Sequence, residues 1–427
     1  MAKDTNIALR QQVIYSVYVR AHTQEGTFRA VEADLDRIKA LGTDIIWFMP
    51  IHPIGIKGKK GSLGCPYANR DYRTVNPEYG TMEDFRHLVE AIHEKGMKCI
   101  IDVVYNHTSP DSTLVHEHPE FFYHKPDGSM GNHVGDWTDV VDLDYTCKEL
   151  WDYQIESLKM WAGIVDGFRC DVASMVDVEF WCKARAAVAQ VRPDCIWLAE
   201  TIHGAFAHEN RRMGLYSCND YEMYRAFDLE YDYDIWETYE RYMQGKGNLS
   251  NFTDALNFQE YQYPANYIKM RCLENHDQPR VCSYVKDDKA LMNLTAMLYF
   301  LKGTTMLYAG QEYRCDHVPS LFEKEVFPRN ADRDISPLIR KLNRVKKELL
   351  DADDTMRADA DDEKDIAVIH RVNDRGAKLG VFSLKGKSGT VNVRLPDGTY
   401  RNHLDGTDVR VENGKLLCAG DPIVITA

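Results

Sequence analysis

Short apolar runs and longer amphipathic stretches alternate along most of the chain. Each apolar run has the length of a strand, and in each amphipathic stretch the apolar residues recur at helical spacing. The eight predicted strands lie at 12–19, 44–50, 98–104, 167–172, 195–200, 224–231, 270–275 and 304–310. Predicted helices stand between them, and the last lies at 336–350. This alternation predicts an α/β fold, the (β/α)₈ TIM barrel.

Two segments depart from the alternation. The segment that follows the third strand is irregular and rich in His, Asp and Pro, and we expect a small inserted subdomain there. Beyond the last helix, short runs alternate apolar and polar residues, separated by turn signals such as PDG and ENG, which predicts a C-terminal antiparallel β-sandwich. The predicted domains are a barrel made of 1–105 and 145–351, the insert at 106–144, and the sandwich at 352–427.

Composition narrows the range of partners. A formal net charge of −14 argues against nucleic acid or an anionic membrane as a partner. No apolar run approaches the length of a membrane span, and the N-terminal stretch MAKDTNIALRQQ lacks the apolar core of a signal peptide, so we expect a cytoplasmic protein. The eleven cysteines contain no C-x-x-C pair, which favours buried free thiols in a reducing compartment. The oligomeric state stays open.

Polar residues stand at the carboxyl ends of four predicted strands. In chain order they are Asp102, Asn106, His107, Arg169, Asp171, Glu200, Asn275, His276, Asp277 and Arg280. Each taken alone has a plain structural explanation, such as a helix N-cap or a surface loop. Because barrel active sites form at the carboxyl ends of the strands, residues placed there on four separate strands are expected to meet in one cleft.

The stretch GFRCDVAS places two charges on one face of an apolar strand. Successive strand residues alternate faces, so Arg169 and Asp171 point the same way, where the arginine keeps the carboxylate ionised and orients it. Glu200 follows the apolar run WLA, a setting that favours a protonated carboxyl group. One ionised and one protonated carboxyl group are the nucleophile and the general acid that a retaining glycosidase needs.

At this point the sequence resembles the α-amylase family of glycoside hydrolases. Four of its signature stretches occur in order, namely DVVYNH at 102–107, GFRCDVASM at 167–175, WLAE at 197–200 and ENHD at 274–277. The flanking stretches LGTDIIWFMPIHP, PYANRDYRTVNPEYGT and GTTMLYAGQE agree as well, so the resemblance spans about 12 to 350. It implies the same barrel, with the insert as an unusually short B domain and the sandwich as the C-terminal domain.

The resemblance also implies a role for each candidate residue. Asp171 is the nucleophile, Glu200 the acid and base, and Asp277 binds substrate hydroxyls and favours the distorted sugar. The residues expected to bind or support the substrate are Tyr67, Asp102, His107, Arg169, His203, His276 and Arg280. The implied function is a retaining α-glucosidic hydrolase acting on α-1,4-linked glucooligosaccharides or starch-derived glucans, with no cofactor required for the chemistry.

Some features leave alternatives open. Many α-amylases close the second stretch with Lys-His, and here Ser174 and Met175 stand there, closer to neopullulanases, while NHDQPR is closer to oligo-1,6-glucosidases. An oligo-1,6-glucosidase or neopullulanase activity and an α-glucan transglycosylase are therefore alternatives. Asn106 holds the position of a family calcium ligand, so a structural Ca²⁺ is a candidate, although the sequence identifies no partner aspartates in the insert.

Two readings from other classes compete with a glycosidase. HEHPE at 116–120 could chelate a metal through His116 and His118 in a metallohydrolase, although a solvated loop explains the same residues. A catalytically inactive barrel that only binds carbohydrate is the other alternative. Such barrels typically lose a catalytic carboxylate, and all three are present here.

Overall fold

The computed structural model of the protein describes residues 2–427, and its largest part is a closed barrel of eight parallel strands. Each strand pairs with its neighbours in chain order, and the eighth pairs with the first. The strands are β1 (Val13–Val17), β2 (Ile45–Phe48), β3 (Lys98–Val103), β4 (Gly167–Cys170), β5 (Ile196–Ala199), β6 (Leu229–Tyr231), β7 (Lys269–Arg271) and β8 (Thr304–Tyr308). The predicted barrel is confirmed, and each predicted strand overlaps an observed one.

Helices surround the barrel and bury their apolar faces against it. They are α1 (Val19–His22), α2 (Phe28–Glu32), α3 (Leu35–Ala40), α4 (Met82–Glu94), α5 (Thr113–Glu117), α6 (Lys148–Ala162), α7 (Val178–Val188), α8 (Gly204–Arg212), α9 (Asp220–Met223), α10 (Tyr233–Met243), α11 (Leu249–Gln262), α12 (Val281–Tyr284), α13 (Asp288–Phe300) and α14 (Ser336–Leu349). Short 3-10 helices lie at Ile7–Gln11, Pro119–Phe121, Ala173–Met175, Gln311–Tyr313 and Ala331–Arg333.

The amphipathic stretch at 28–41 is two helices, where the sequence predicts one. The break is a turn at Ala33 and Asp34, and Asp34 has φ −100° and ψ 0°. Its carboxylate accepts hydrogen bonds from Arg37 at 2.7 Å and from Arg329 at 2.9 Å. Arg329 lies almost 300 residues further along the chain, so the local periodicity does not reveal the break.

The insert after β3 is a small unit on the cleft side of the barrel. Its ends are joined by a two-stranded antiparallel ribbon, His107–Thr108 with Val141–Asp142. Along the chain, helix α5 and the 3-10 helix Pro119–Phe121 come between the two strands of the ribbon. Phe121 and Phe122 are buried and anchor this subdomain to the barrel core.

The C-terminal region forms two four-stranded antiparallel sheets that enclose a separate apolar core. In chain order the strands are β9 (Thr355–Asp361), β10 (Ile366–Asn373), β11 (Gly376–Ser383), β12 (Gly389–Asn392), β13 (Gly398–Arg401), β14 (Asp408–Glu412), β15 (Lys415–Cys418) and β16 (Ile423–Thr426). The sheet orders are β9-β10-β11-β16 and β12-β15-β14-β13. The predicted sandwich is confirmed.

Strand β9 is absent from the predicted runs because its sequence, TMRADAD, is largely polar. It is held by pairing with β10 and by helix α11, whose Asn257 side chain exchanges two hydrogen bonds with the Ala358 backbone at 2.7 and 2.8 Å. The eleven cysteines are free, and eight of them are buried as expected, whereas Cys65, Cys147 and Cys182 are partly exposed. No helix within residues 2–427 has both the length and the apolar character to cross a bilayer.

Candidate active site

A cleft of about 390 Å³ opens at the carboxyl ends of the barrel strands, a size typical of small-molecule sites. Seven of the candidate residues line it, namely Tyr67, His107, Asp171, Glu200, His203, His276 and Asp277. The strand-end argument therefore places the three candidate catalytic carboxylates correctly in one cavity.

Arg169 lies at the centre of three carboxylates. It pairs in register with Asp102 across β3 and β4, and Asp171 follows two positions later on the same side. Its Nη1 donates to both oxygens of Asp102 at 2.9 and 3.0 Å and to Asp171 Oδ1 at 2.8 Å. Its Nη2 lies 2.9 Å from Glu200 Oε2, an ion pair without hydrogen-bond geometry. A single cation therefore holds all three carboxylates in place.

The backbone after Asp171 is strained. Val172 has φ 38° and ψ 40°, in the left-handed region that β-branched residues rarely adopt. The amide of Val172 donates a hydrogen bond of 2.8 Å to Glu200 Oε2. Strain of this kind persists only where surrounding contacts enforce it, and it is common at active sites. Here it directs a backbone donor at the second candidate carboxyl group.

Glu200 is a buried carboxyl group at the end of an apolar strand, and only 6% of its surface is exposed. Burial raises the pKa of Glu200 well above its usual range, Asp171 and Asp277 raise it further, and Arg169 opposes them. A carboxyl group that stays protonated near neutral pH can act as a general acid. The environment of Glu200 thus matches the role inferred from the sequence.

Tyr67 and His276 form a stacked pair in the cleft wall. Their ring centroids lie 5.3 Å apart and their planes differ by 5°. The Tyr67 hydroxyl is 2.7 Å from His276 Nε2 and donates a 3.0 Å hydrogen bond to Asp102 Oδ2. Burial lowers the pKa of His276, although Asp277 opposes this, so the imidazole is neutral near pH 7. The pair presents flat apolar rings with polar edges.

His107 and Asp277 complete the part of the cleft around this pair. The His107 ring packs 5.3 Å from that of Trp137, which the insert contributes. Asp277 Oδ2 lies 3.1 Å from His276 Nε2, and 44% of the Asp277 side chain is exposed. Asp277 can therefore reach a bound molecule, whereas the fully buried Asp102 acts only through Arg169 and Tyr67.

His203 also lines the cleft, three residues after Glu200. Its ring stacks on Tyr233 with centroids 4.1 Å apart, and its Nε2 lies 3.3 Å from Gln278 Nε2. Burial lowers the pKa of His203, so it faces the cleft as a neutral ring. The structure thus places His203 in the cleft wall, among the residues that can contact a bound molecule.

Arg280 and Met175 do not line the cleft. The Arg280 guanidinium is buried, where it forms a 2.7 Å ion pair with the buried Glu274 and donates to the Ala309 carbonyl at 2.7 Å. A buried carboxylate binds the arginine, so Arg280 stabilises the loop after β7 and the expected substrate contact is not formed. Met175 lines a neighbouring cavity of about 290 Å³ and not the aglycone side of the cleft.

Asn106 borders the same neighbouring cavity, together with Asp142 and His133. Asp142 Oδ2 accepts hydrogen bonds from the backbone and ring of His133, both 2.7 Å long, while its buried Oδ1 has no partner in the described chain. Calcium takes six to eight oxygen ligands. Asp144 and Asp177 also border the cavity, so three carboxylates stand near Asn106 and a structural Ca²⁺ at this place stays a prediction.

The histidines of HEHPE do not assemble a metal site. His118 stacks on Phe121 with centroids 4.5 Å apart and pairs with the exposed Glu120 at 3.0 Å. Neither His116 nor His118 lines the cleft. Within residues 2–427 neither of them belongs to a group of three side chains with metal-ligand spacing. The structure gives no support to the metallohydrolase alternative.

Sequence profiles of known families match nearly the whole chain. The profile described as "Alpha amylase, catalytic domain" matches residues 8–129 and 133–370. The chain belongs to the α-amylase family. A second profile, "Bacterial Alpha amylase C-terminal domain", matches residues 357–425. The family resemblance noted in the sequence is thus confirmed for the barrel and for the sandwich.

Solved structures of α-amylase family members have the same architecture. An α-amylase from Lactobacillus plantarum is 44% identical, with a TM-score of 0.94 over 99% of this chain and 100% of that one. A noncanonic maltogenic α-amylase, AmyB from Thermotoga neapolitana, is 32% identical, with a TM-score of 0.88 over 98% of this chain and 99% of that one. The similarity therefore extends from end to end of both structures.

Curated relatives include a transferase. The α-1,4-glucan:maltose-1-phosphate maltosyltransferase of Picrophilus torridus is 26% identical over 410 residues, which covers 87% of this chain. The match covers 61% of the Picrophilus enzyme and 48% of its counterpart from Rhodospirillum rubrum, so the chain spans about half the length of these relatives. Sequence similarity alone therefore does not separate hydrolysis from glycosyl transfer.

Several residues of this α-amylase family cleft carry no signal in the sequence motifs. They are Lys60, Cys65, Trp137, Phe206, Leu321 and Phe322. Most stand in loops or in the insert, where no periodicity predicts which side chains face inward. Tyr233 is different, because it follows β6 directly and the strand-end argument could have identified it.

Proposed function

We propose that the protein is a retaining α-glucosidic hydrolase that acts on α-1,4-linked glucooligosaccharides through a covalent glycosyl-enzyme intermediate. The observation that carries this proposal is the arrangement around Arg169. One guanidinium binds the carboxylate of Asp171 and lies beside Glu200, whose burial favours the protonated form. A retaining glycosidase needs this combination of a nucleophile and an acid.

In the first step a carboxylate oxygen of Asp171 attacks the anomeric carbon of the bound sugar. The glycosidic C–O bond breaks, and its oxygen takes the proton of Glu200 as the aglycone departs. In the second step the Glu200 carboxylate takes a proton from water, and that water's oxygen attacks the same carbon and displaces Asp171. Two inversions give net retention.

The remaining residues hold the sugar and the catalytic groups. Arg169 fixes the carboxylate of Asp171 with a 2.8 Å hydrogen bond, which leaves its other oxygen free for attack. The stacked rings of Tyr67 and His276 offer a platform for the apolar face of a pyranose. Asp277 is exposed enough to accept hydrogen bonds from sugar hydroxyls. This chemistry requires no cofactor.

Glycosyl transfer is the second candidate, and the maltosyltransferase relatives favour it. It differs only in the second step, where a sugar hydroxyl replaces water as the nucleophile. An oligo-1,6-glucosidase or neopullulanase-like preference changes the linkage and leaves the same residues in the same roles. Product analysis on maltoheptaose, panose and pullulan, with and without added acceptor sugar, separates these activities.

The stereochemical outcome tests the proposal. We expect NMR of the first products from an α-glucan to detect the α-anomer before mutarotation. An initial β-anomer would refute the covalent mechanism. If the folded wild-type protein cleaves none of maltoheptaose, panose and pullulan, the result would instead favour the inactive-barrel alternative.

Substrate length is a separate expectation. The insert is short, and the groups suited to bind a sugar concentrate around Asp171, so each further sugar would find fewer partners. We expect kcat/KM to level off between maltotriose and maltoheptaose and not to rise further on soluble starch. A steep rise that continues to starch would indicate a long cleft with many sugar subsites.

A further inference from the structure

The glycine-rich loop at 55–64, which follows β2, has no role in the chemistry described so far. It contacts two other segments of the cleft wall, the loop at 320–323 after β8 and the stretch at 136–139 of the insert. Each of the three segments contributes side chains to the cleft, for example Lys60, Phe322 and Asp139.

The contact with the 320–323 loop is direct. The Leu63 amide donates to the Phe322 carbonyl at 3.0 Å, and the Ser62 amide donates to Glu323 Oε1 at 2.8 Å. The Ser62 hydroxyl also donates to the Glu323 carboxylate. Gly61 has φ +64°, and a Cβ there would lie 2.6 Å from Phe322 Cβ, so a side chain has no room between the loops.

Lys60 joins the same loop to the insert. Its Nζ donates to the Asp136 carbonyl at 3.0 Å and forms an ion pair with Asp139 Oδ1 at 3.2 Å. Lys60 and Asp139 both line the cleft. The loop after β8, the loop after β2 and the insert therefore form one continuous wall, which we name the loop bridge.

The position of the loop bridge in the barrel identifies which end of the substrate it faces. Strand β1 stands between β8 and β2 and lies four strands from β5 in the closed ring of eight. Glu200, at the end of β5, protonates the leaving oxygen, so the aglycone lies on its side of the cleft. The loops after β2 and β8 each stand three strands from β5, across the barrel from Glu200, and these two parts of the loop bridge therefore face the glycone.

The Glu200 side of the cleft continues outward. Gln278 lines the cleft and also borders an adjoining groove of about 330 Å³. Trp236, Tyr239 and Tyr284 line this groove, and 40% of the Tyr284 surface is exposed. Aromatic rings beside polar groups suit sugar faces, so an aglycone has a path out of the cleft past Gln278.

We propose that the loop bridge closes the glycone end of the cleft, so that the enzyme accepts only the free non-reducing end of an α-glucan and releases a glycone of fixed length. This inference rests on the proposed function and adds exo-action to it. Lys60 and Glu323 are positioning residues for this selectivity, because their side chains hold the bridge together.

The test compares two chromogenic maltoheptaosides that carry a nitrophenyl group at the reducing end. One has a free non-reducing terminal sugar, and the other carries a cyclic acetal on that sugar. Extra bulk in a closed pocket costs a factor of about 10 to 200 in kcat/KM, and we expect a loss of this order for the blocked chain. On the free chain, chromatography should find one dominant labelled product at early times.

The variants Glu323→Ala and Lys60→Ala each break one side of the loop bridge. We expect both variants to reduce the difference in kcat/KM between the free and the blocked maltoheptaoside. We also expect both to give several labelled products from the free chain. Lys57→Ala changes an exposed lysine of the same loop and is the matched control. It should keep the wild-type ratio of kcat/KM on the free chain to kcat/KM on the blocked chain. Circular dichroism and urea unfolding check that each variant folds, and either folded variant is sufficient for the comparison.

Two outcomes would overturn the inference. Equal kcat/KM of the wild-type enzyme on free and blocked chains, with scattered products, means that the cleft is open at both ends. A wild-type preference for the free chain that survives in the folded bridge variants means that the loop bridge is not its cause. Failure to cleave even the free chain counts against the proposed function, and this result is distinct from the other two.

Discussion

The carboxylates of the cleft and those at the start of the sandwich form two groups of three that differ in their cations. In the cleft, Asp102, Asp171 and Glu200 share Arg169. At the sandwich, Asp351, Asp353 and Asp354 face three cations, Lys378, Arg371 and Arg375. The first group has a deficit of positive charge, and the second has none.

Burial and the charge deficit together decide the protonation states. In the cleft, burial and neighbouring carboxylates raise the pKa of Glu200 well above its usual range. At the sandwich, burial tends to raise the pKa of Asp351, but hydrogen bonds from Lys378 and Asn373 lower it overall. The two groups of carboxylates therefore have different roles. The group in the cleft keeps a proton on Glu200 for chemistry, and the group at the sandwich stabilises the fold.

Asp171→Asn is expected to have the largest effect. Without a nucleophile, kcat should fall by about 10⁴-fold or more. The cluster has more carboxyl groups than cations, and the substitution removes one of these negative charges. The urea concentration at the midpoint of unfolding should therefore stay the same or rise. Asp194→Asn, at an exposed aspartate, serves as the control for both measurements. A clear loss of stability in Asp171→Asn would contradict the charge deficit.

Glu200→Gln tests the proton on the acid. With ordinary oligosaccharides the rate should fall by about 10² to 10⁴-fold, because no group protonates the leaving oxygen. The pKa of Glu200 is raised, so the active protonated form is lost as pH rises through that pKa, and wild-type kcat/KM should decline on the alkaline side. With an activated leaving group the variant should lack this decline. An alkaline limb that persists would exclude Glu200 as the acid.

Asp354→Asn tests the compensated group. Its fully buried carboxylate pairs with Lys378 at 2.7 Å and with Arg371 at 3.1 Å, so its removal leaves the buried Arg371 without a carboxylate partner and Lys378 with Asp351 alone. Loss of one partner of a buried pair costs about 3 to 5 kcal/mol of folding free energy. Activity of the folded fraction should not change. The control is Asp353→Asn, at a half-exposed aspartate, which should lower the free energy of unfolding by less than about 1 kcal/mol.

Most of the fold and of the catalytic cluster could be predicted from the sequence. The alternation of apolar runs and amphipathic stretches is local, and it correctly predicts the barrel. The rule that strand ends face the active site brings Asp171, Glu200 and Asp277 together without any coordinates. Strand β9 and the break between α2 and α3 were missed, because contacts with distant residues hold them in place.

The contacts of single side chains in loops could not be predicted from the sequence for the same reason. Arg280 stands in the motif NHDQPR, yet its guanidinium turns to the buried Glu274 and not to the cleft. Lys60 stands in a loop with no motif, yet it lines the cleft and pairs with Asp139. A motif gives the type of a residue and its place in the chain, but the partner that its charge finds depends on three-dimensional packing.

The sequence by itself determined the order of strands and helices, the apolar face of each, and the strand ends at which the charges stand. These follow from the periodicity of apolar positions, which is a local property of the chain. Only the tertiary structure decided that one arginine serves three carboxylates and that the loops after β2 and β8 meet across β1. Burial and charge pairing join residues far apart in the chain, and such contacts leave no periodic trace in it.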